Sequence, residues 1–149
     1  MTPLLCTPLT DLERRLLDHF YRQQGSRMRA AGDGELWVAR SGVIVAGLSL
    51  SAVAGGRWLT GLLVAPEWRN QGVAARLVNA ALAEGRGPTW LFCHPDLEAF
   101  YQRLGFSPAN MLPETLGSRL ARYQRSKRLM AMVHGQSSLA SSPGNSTSV

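Results

Sequence analysis

Residues 69–74 read Arg-Asn-Gln-Gly-Val-Ala, between an apolar run ending at Pro66 and a stretch of helical periodicity. The first turn of a helix leaves its N–H groups without internal partners, and the macrodipole adds partial positive charge there. Such an end binds anions, phosphates above all. Asn70, Gln71 and Gly72 would direct further amides inward beside those of Val73 and Ala74. A glycine at 72 lets a ligand approach the backbone where a side chain would collide, and Ala74 is small for the same reason. Arg69 adds a fixed charge suited to a pyrophosphate. The letters alone also describe an ordinary strand-to-helix turn, so the neighbours must decide. A Walker loop is excluded, because no Lys-Ser or Lys-Thr pair follows the glycine. The dinucleotide fingerprint is excluded too, since it needs three glycines.

The elements around the loop can be read from periodicity and punctuation. LLCTPL (4–9) reads as an edge strand flanked by prolines. Thr10 or Asp11 can cap a helix to about Gln24, with Leu12, Leu16, Leu17 and Phe20 as its apolar stripe. A basic, glycine-rich connector spans 25–34, followed by two strands joined at Ser41-Gly42. RWLTGLLVAP (57–66) is a further strand, and a helix runs from Gly72 to about Glu84 with Val73, Leu77, Val78, Ala81 and Leu82 on one side. TWLFC (89–93) reads as a buried strand, and residues 96–105 as a helix stopped by Gly105. FSPANML suggests another strand, TLGSRLARYQRSKR a second basic helix, and LMAMV a last strand. The strand–helix–strand crossover over 57–104 inside an otherwise antiparallel pattern predicts a mixed α/β (α+β) fold.

A length of 149 residues, 45% apolar and 17% charged, suits one globular domain over 1–134. From residue 135 the serine-rich tail to 149 has almost nothing to bury and is expected to be disordered. No apolar run reaches membrane-spanning length, and the N-terminal residues lack the pattern of a secretory signal. Two cysteines, Cys6 and Cys93, are too few for a disulfide framework. These readings point to the cytoplasm and to no membrane partner. The net charge of +6 draws partly on Arg119, Arg122, Arg125, Lys127 and Arg128. No zinc-finger spacing, RNP-type aromatic strand or helix-turn-helix accompanies it, so a solvated basic face is preferred to a nucleic-acid partner.

Two stretches together carry a resemblance. LLVAPEWRNQGVAARL resembles the acyl-CoA binding motif of the GNAT family of N-acetyltransferases, V-x-P-x-x-R/Q-x-x-G-x-G/A. FYQRLGF (100–106), one strand and one helix later, resembles that family's F/L-Y-x-x-x-G-F signature. Order and separation agree, and with the strand order the resemblance covers about residues 3–134.

The resemblance implies a mainly antiparallel central sheet with helices on both faces and a splayed parallel strand pair, 58–65 and 89–93. Acetyl-CoA would lie in that opening. Leu63, Val64 and Ala65 match the positions that meet the pantetheine arm. The amides of Arg69, Asn70, Gln71, Gly72, Val73 and Ala74 match the pyrophosphate loop. Tyr101 matches the tyrosine near the thioester sulfur, whose role is to give the departing thiolate a proton or a hydrogen bond. His94 stands where many relatives carry a cofactor-contacting asparagine, and it could equally cap a helix.

The strand before the loop lacks the carboxylate some relatives use as a base, leaving Glu35, Glu67 and Glu98 elsewhere. The acceptor segments contain Tyr21, Arg22, Arg27, Met28, Trp37, Arg122 and Tyr123. Cys93 reads as a buried small hydrophobe. The expected activity is transfer of an acetyl group from acetyl-CoA to a primary amine by direct attack. The alternatives are a non-catalytic acyl-CoA binding module on the same fold and an RNA-associated basic protein. Exposed edge strands are compatible with a homodimer.

Overall fold

The computed structural model describes residues 3–83, 85 and 87–135; apart from Gly135, the expected serine-rich tail lies outside the described residues. The chain divides into two compact units, one within 1–52 and 58–86, the other within 53–57 and 87–149.

In the first unit the strands are β1 (Leu5–Pro8), β2 (Glu35–Ser41), β3 (Val43–Val53) and β4 (Gly56–Val64), adjacent in that order. The tip between β3 and β4, residues 53–57, groups with the second unit. β1 pairs antiparallel with β2, and β2 with β3. β1 is the edge its prolines predicted. Two helices cover this sheet, α1 (Arg15–Gln23) and α2 (Val73–Ala83). β2 buries four successive residues, Leu36 to Ala39, so both of its faces are covered. Leu36 and Val38 join Leu17, Phe20 and Tyr21 of α1 in one cluster with Leu9 and Ala65. α2 packs against β1 and β2. By strand alternation it covers the Trp37 and Ala39 side.

The predicted first helix is corrected at its start. Residues 11–13 form a single 3-10 turn, in which the Thr10 amide donates to the Glu13 carboxylate at 3.1 Å. The tighter turn breaks the 3.6-residue period, and Leu12 is left 92% exposed instead of joining the stripe. Tyr21, absent from that stripe, is fully buried in its place.

The second unit holds β5 (Thr89–Cys93), α3 (Glu98–Arg103), β6 (Ser107–Pro108), α4 (Glu114–Tyr123) and β7 (Met130–His134). β7 lies between β5 and β6 and pairs antiparallel with both. The helix expected over 96–105 begins as a 3-10 turn at Pro95–Leu97. FSPANML gives only the two residues of β6. The basic helix ends at Tyr123, so Arg125, Lys127 and Arg128 lie beyond it, where the following turns bring the Ser126 and Lys127 amides back to the Tyr123 carbonyl. The architecture is the predicted mixed, mainly antiparallel α/β arrangement. Among the described residues no helix is long and apolar enough to cross a membrane.

Candidate functional site

In the first unit, β4 runs into a 3-10 turn at Pro66–Trp68 and then into the loop that opens α2. Asn70 and Gly72 both adopt left-handed backbone, with φ of 62° and 78°, on either side of Gln71 at negative φ. Where left-handed residues alternate with right-handed ones, successive N–H groups turn toward one side, the arrangement that makes an anion-binding concavity. Glycine occupies the left-handed region freely, and asparagine is among the few other residues that visit it readily. The amides of Asn70 through Ala75 meet no protein acceptor among the described residues. The first turn of α2 carries no acidic residue to compete for them.

Three details refine the predicted loop. The Arg69 amide is taken by the Pro66 carbonyl at 3.2 Å, so the free donors begin at Asn70. The Arg69 side chain donates from Nε to the Val64 carbonyl at 3.0 Å, which ties the end of β4 to the loop. Gln71 folds its side-chain amide back onto the Glu67 carbonyl at 2.9 Å, leaving only its backbone N–H to the concavity.

Among Leu63, Val64 and Ala65, the Ala65 amide donates to the Val45 carbonyl on β3 at 2.8 Å. Alternation therefore turns the peptide groups of Leu63 toward β3 as well, and those of Val64 away from it. Beyond its chain neighbours, a Cβ at Gly72 meets no described residue within 4 Å. The loop's demand for glycine is thus one of conformation and of room for a ligand, not of packing within the chain.

In the second unit, Tyr101 lies on α3 with its ring edge-on to Phe100 and Phe106, at centroid distances of 5.0 and 5.9 Å. Phe106 in turn meets His134 at 5.2 Å. Burial, and then the neighbouring Cys93, push the Tyr101 phenol up to about 12. Its hydroxyl makes no hydrogen bond with a described residue, so a proton is held there with no internal acceptor. Cys93 is a buried free thiol raised by burial and by the Glu98 carboxylate, the opposite of what a nucleophile needs.

His94 caps the turn at Pro95–Leu97: its Nδ1 accepts from the Asp96 amide at 3.0 Å, and its carbonyl accepts from the Leu97 amide at 2.8 Å. A lone pair used in this way excludes a proton on Nδ1. The Asp96 carboxylate 3.4 Å away therefore forms no ion pair in this arrangement. Only Nε2 remains for a ligand.

The predicted acceptor and base residues are redistributed by burial. Tyr21 is fully buried and Trp37 is 7% exposed, so both are core residues, whereas Arg22, Arg27 and Met28 stay at the surface. Within the first unit the connector that carries Arg27 and Met28 is clamped. Asp18 accepts from the Ala30 amide at 2.7 Å, and Arg14 donates to the carbonyls of Ala31 and Gly34 at 2.7 and 2.9 Å. Sequence periodicity carried no sign of this clamp, because charged residues on a helix read as solvated. Glu35 accepts from the Trp37 indole at 3.2 Å, Glu98 accepts from Gln102 at 3.3 Å, and Glu67 is exposed.

Tyr21 and Tyr101 share a pH consequence. Burial raises both phenols above their ordinary value, and the Asp18 carboxylate adds to the effect at Tyr21. Between the unfolded value of about 10 and the folded values, the native state holds protons that the unfolded chain has lost. Stability should therefore be intact below pH ~10 and fall as pH rises above it. Urea midpoints compared at pH 9 and 11, alongside phenolate absorbance, measure this, and a midpoint unchanged at the higher pH would contradict it.

Within the first unit, the loop after β4 offers backbone donors with no protein acceptor among the described residues. A family model described as the acetyltransferase (GNAT) domain matches residues 32–108, and the chain belongs to that acetyltransferase family. No match is found among curated protein sequences.

Solved structures share the fold. An N-acetylglutamate synthase from Neisseria gonorrhoeae, complexed with coenzyme A and N-acetyl-glutamate, is 16% identical with a TM-score of 0.64. It is covered over 90% of this chain, which spans only 35% of that protein's length. An acetyltransferase of the GNAT family from Staphylococcus aureus is 12% identical, with a TM-score of 0.60 over 89% of this chain and 98% of its own. ElaA from Escherichia coli is 16% identical, with a TM-score of 0.61 over 90% and 99%.

Proposed function

We propose that this protein transfers an acetyl group from acetyl-CoA to a primary amine by direct attack. The observation that carries the reading is the run of unpartnered amides from Asn70 to Ala75, arranged by two left-handed residues at the start of α2. These amides, with Arg69, would hold the pyrophosphate of the donor. The Val64 amide, within the stretch Leu63–Ala65, would meet its pantetheine arm, the Val64 carbonyl being taken by Arg69 Nε, and His94 could add a contact through Nε2. Bound there, acetyl-CoA supplies the activated acetyl group. Membership of the family and coenzyme A in the Neisseria relative support the choice of donor.

Tyr101 then has a definite role. A phenol at about 12 is a far weaker acid than an alkyl thiol near 8.5, so handing its proton outright to a thiolate is uphill by roughly 5 kcal/mol. A charge-assisted hydrogen bond from its hydroxyl to the departing sulfur carries no such cost and strengthens as charge develops. The net proton comes from the attacking amine. No carboxylate is assigned as base, since β4 carries none. Water can carry the amine's proton away.

Calorimetry with acetyl-CoA and thiol release with a panel of amines test the proposal. Binding at micromolar concentration or tighter with amine-dependent thiol release supports it. Binding without release from any amine would instead favour a non-catalytic acyl-CoA module, and no binding would remove both readings. The proposal puts the acceptor at the surface around Arg22 of α1 and Arg27 and Met28 of the clamped connector, so amines that also carry an anionic group belong in the panel.

A further inference from the structure

Gly61 stands within β4 with φ of 69°, a left-handed residue in an otherwise extended strand. Such a residue kinks the strand and turns its carbonyl out of the regular ladder. A half-buried carbonyl treated this way gains from another donor. It finds Tyr21 of α1, whose hydroxyl donates to the Gly61 oxygen at 2.6 Å. The phenol is fully buried, and Phe20 tilts against it at a centroid distance of 6.0 Å. The fit is reciprocal: a Cβ placed on Gly61 would lie 2.5 Å from the Tyr21 oxygen. Tyr21 also belongs to the core cluster that contains Ala65 and packs against Leu63.

We propose that Tyr21 is a positioning residue for acetyl transfer, its hydroxyl fixing the kink at Gly61 and through it the strand that meets the donor. The inference rests on the acetyl-CoA reading above. If the pyrophosphate sits at the α2 end and the pantetheine arm runs back past Ala65 and Leu63, its reacting end lies toward Gly61. That glycine is about 7 Å further along the strand than Leu63. A Tyr21 that only filled the core would need its ring and not its oxygen. The oxygen is instead spent on the carbonyl of the one β4 residue with left-handed backbone.

Tyr21→Phe keeps the ring and removes the bond. Its kcat is expected to fall about tenfold, because a small displacement of the reacting end is felt in the chemical step. The KM for acetyl-CoA should stay within about twofold, since the Asn70–Ala75 amides are untouched. A merely structural role would lower the melting temperature and the active fraction while leaving kcat per active site unchanged. A cycle with Gly61→Ala adds a second readout: removing the hydroxyl relieves the collision, so the two losses in log kcat should combine to less than their sum.

Unchanged kcat in folded Tyr21→Phe, or strictly additive losses, overturns the inference. Should Tyr21→Phe not fold, Gly61→Ala alone carries the test, with lowered kcat at retained KM expected and unchanged kcat fatal to it. Wild-type protein that fails to bind acetyl-CoA in calorimetry defeats the donor reading and this inference together. Active wild type matched by Tyr21→Phe defeats this inference alone.

Discussion

Tyr101→Phe is expected to lower kcat for amine-dependent thiol release by roughly 100-fold, the scale seen when one preorganised donor to a developing anion is removed. KM for acetyl-CoA should barely change, because the lost bond forms only as charge gathers on the sulfur. Packing is preserved: the ring contacts with Phe100 and Phe106 involve no oxygen, and phenylalanine keeps them. The hydroxyl has no described partner to leave stranded, so the melting temperature should shift little. The pH profile offers an independent check. A donor held at about 12 stays protonated through the working range, so no fall in kcat below pH 10 should trace to this group. Equal kcat in wild type and variant would remove Tyr101 from the mechanism.

Gly72→Ala should act on the other half of the reaction. Its residue sits at φ of 78°, where an L side chain costs roughly 1–2 kcal/mol, so a loss of several degrees in melting temperature is expected. Beyond its chain neighbours, no described residue lies within 4 Å of the added methyl group, so packing among the described residues does not resist it. A ligand seated against these amides would meet that methyl group directly. The dissociation constant for acetyl-CoA should therefore rise ~10- to 100-fold, beyond what the stability loss explains, with kcat at saturation little affected. Titration calorimetry on the folded variant reads this. Wild-type affinity in a protein destabilised as expected would show that the concavity does not hold the donor.

The loop at 69–74 could be read because glycine spacing between an apolar strand and a helix reports backbone geometry directly. The left-handed Asn70 was legible only as a tolerated residue, since its φ depends on the loop closing between β4 and α2. Leu12 was misplaced because a helical stripe assumes a period of 3.6 from the first residue, and residues 11–13 form a 3-10 turn; Tyr21 keeps the period, four residues after Leu17, and was read for its hydroxyl as an acceptor residue instead. The basic stretch after Tyr123 read as helix because lysine and arginine have good helix propensity. Chain geometry ended the helix earlier.

By itself, then, the sequence determined the mixed α/β class, the order of the elements, the amide loop and the aromatic signature around Tyr101, all features written in local periodicity or in residues needed for their backbone. Only the tertiary structure decided what each side chain is used for. It assigned the Arg69 Nε to a carbonyl, the Gln71 side chain to the turn, the His94 ring nitrogen to a cap and the Tyr21 hydroxyl to a kinked strand. The physical reason is that a hydrogen bond is chosen by which partner lies within about 3 Å. For Tyr21 and Gly61 that partner is forty positions away in the chain, a distance no local pattern spans.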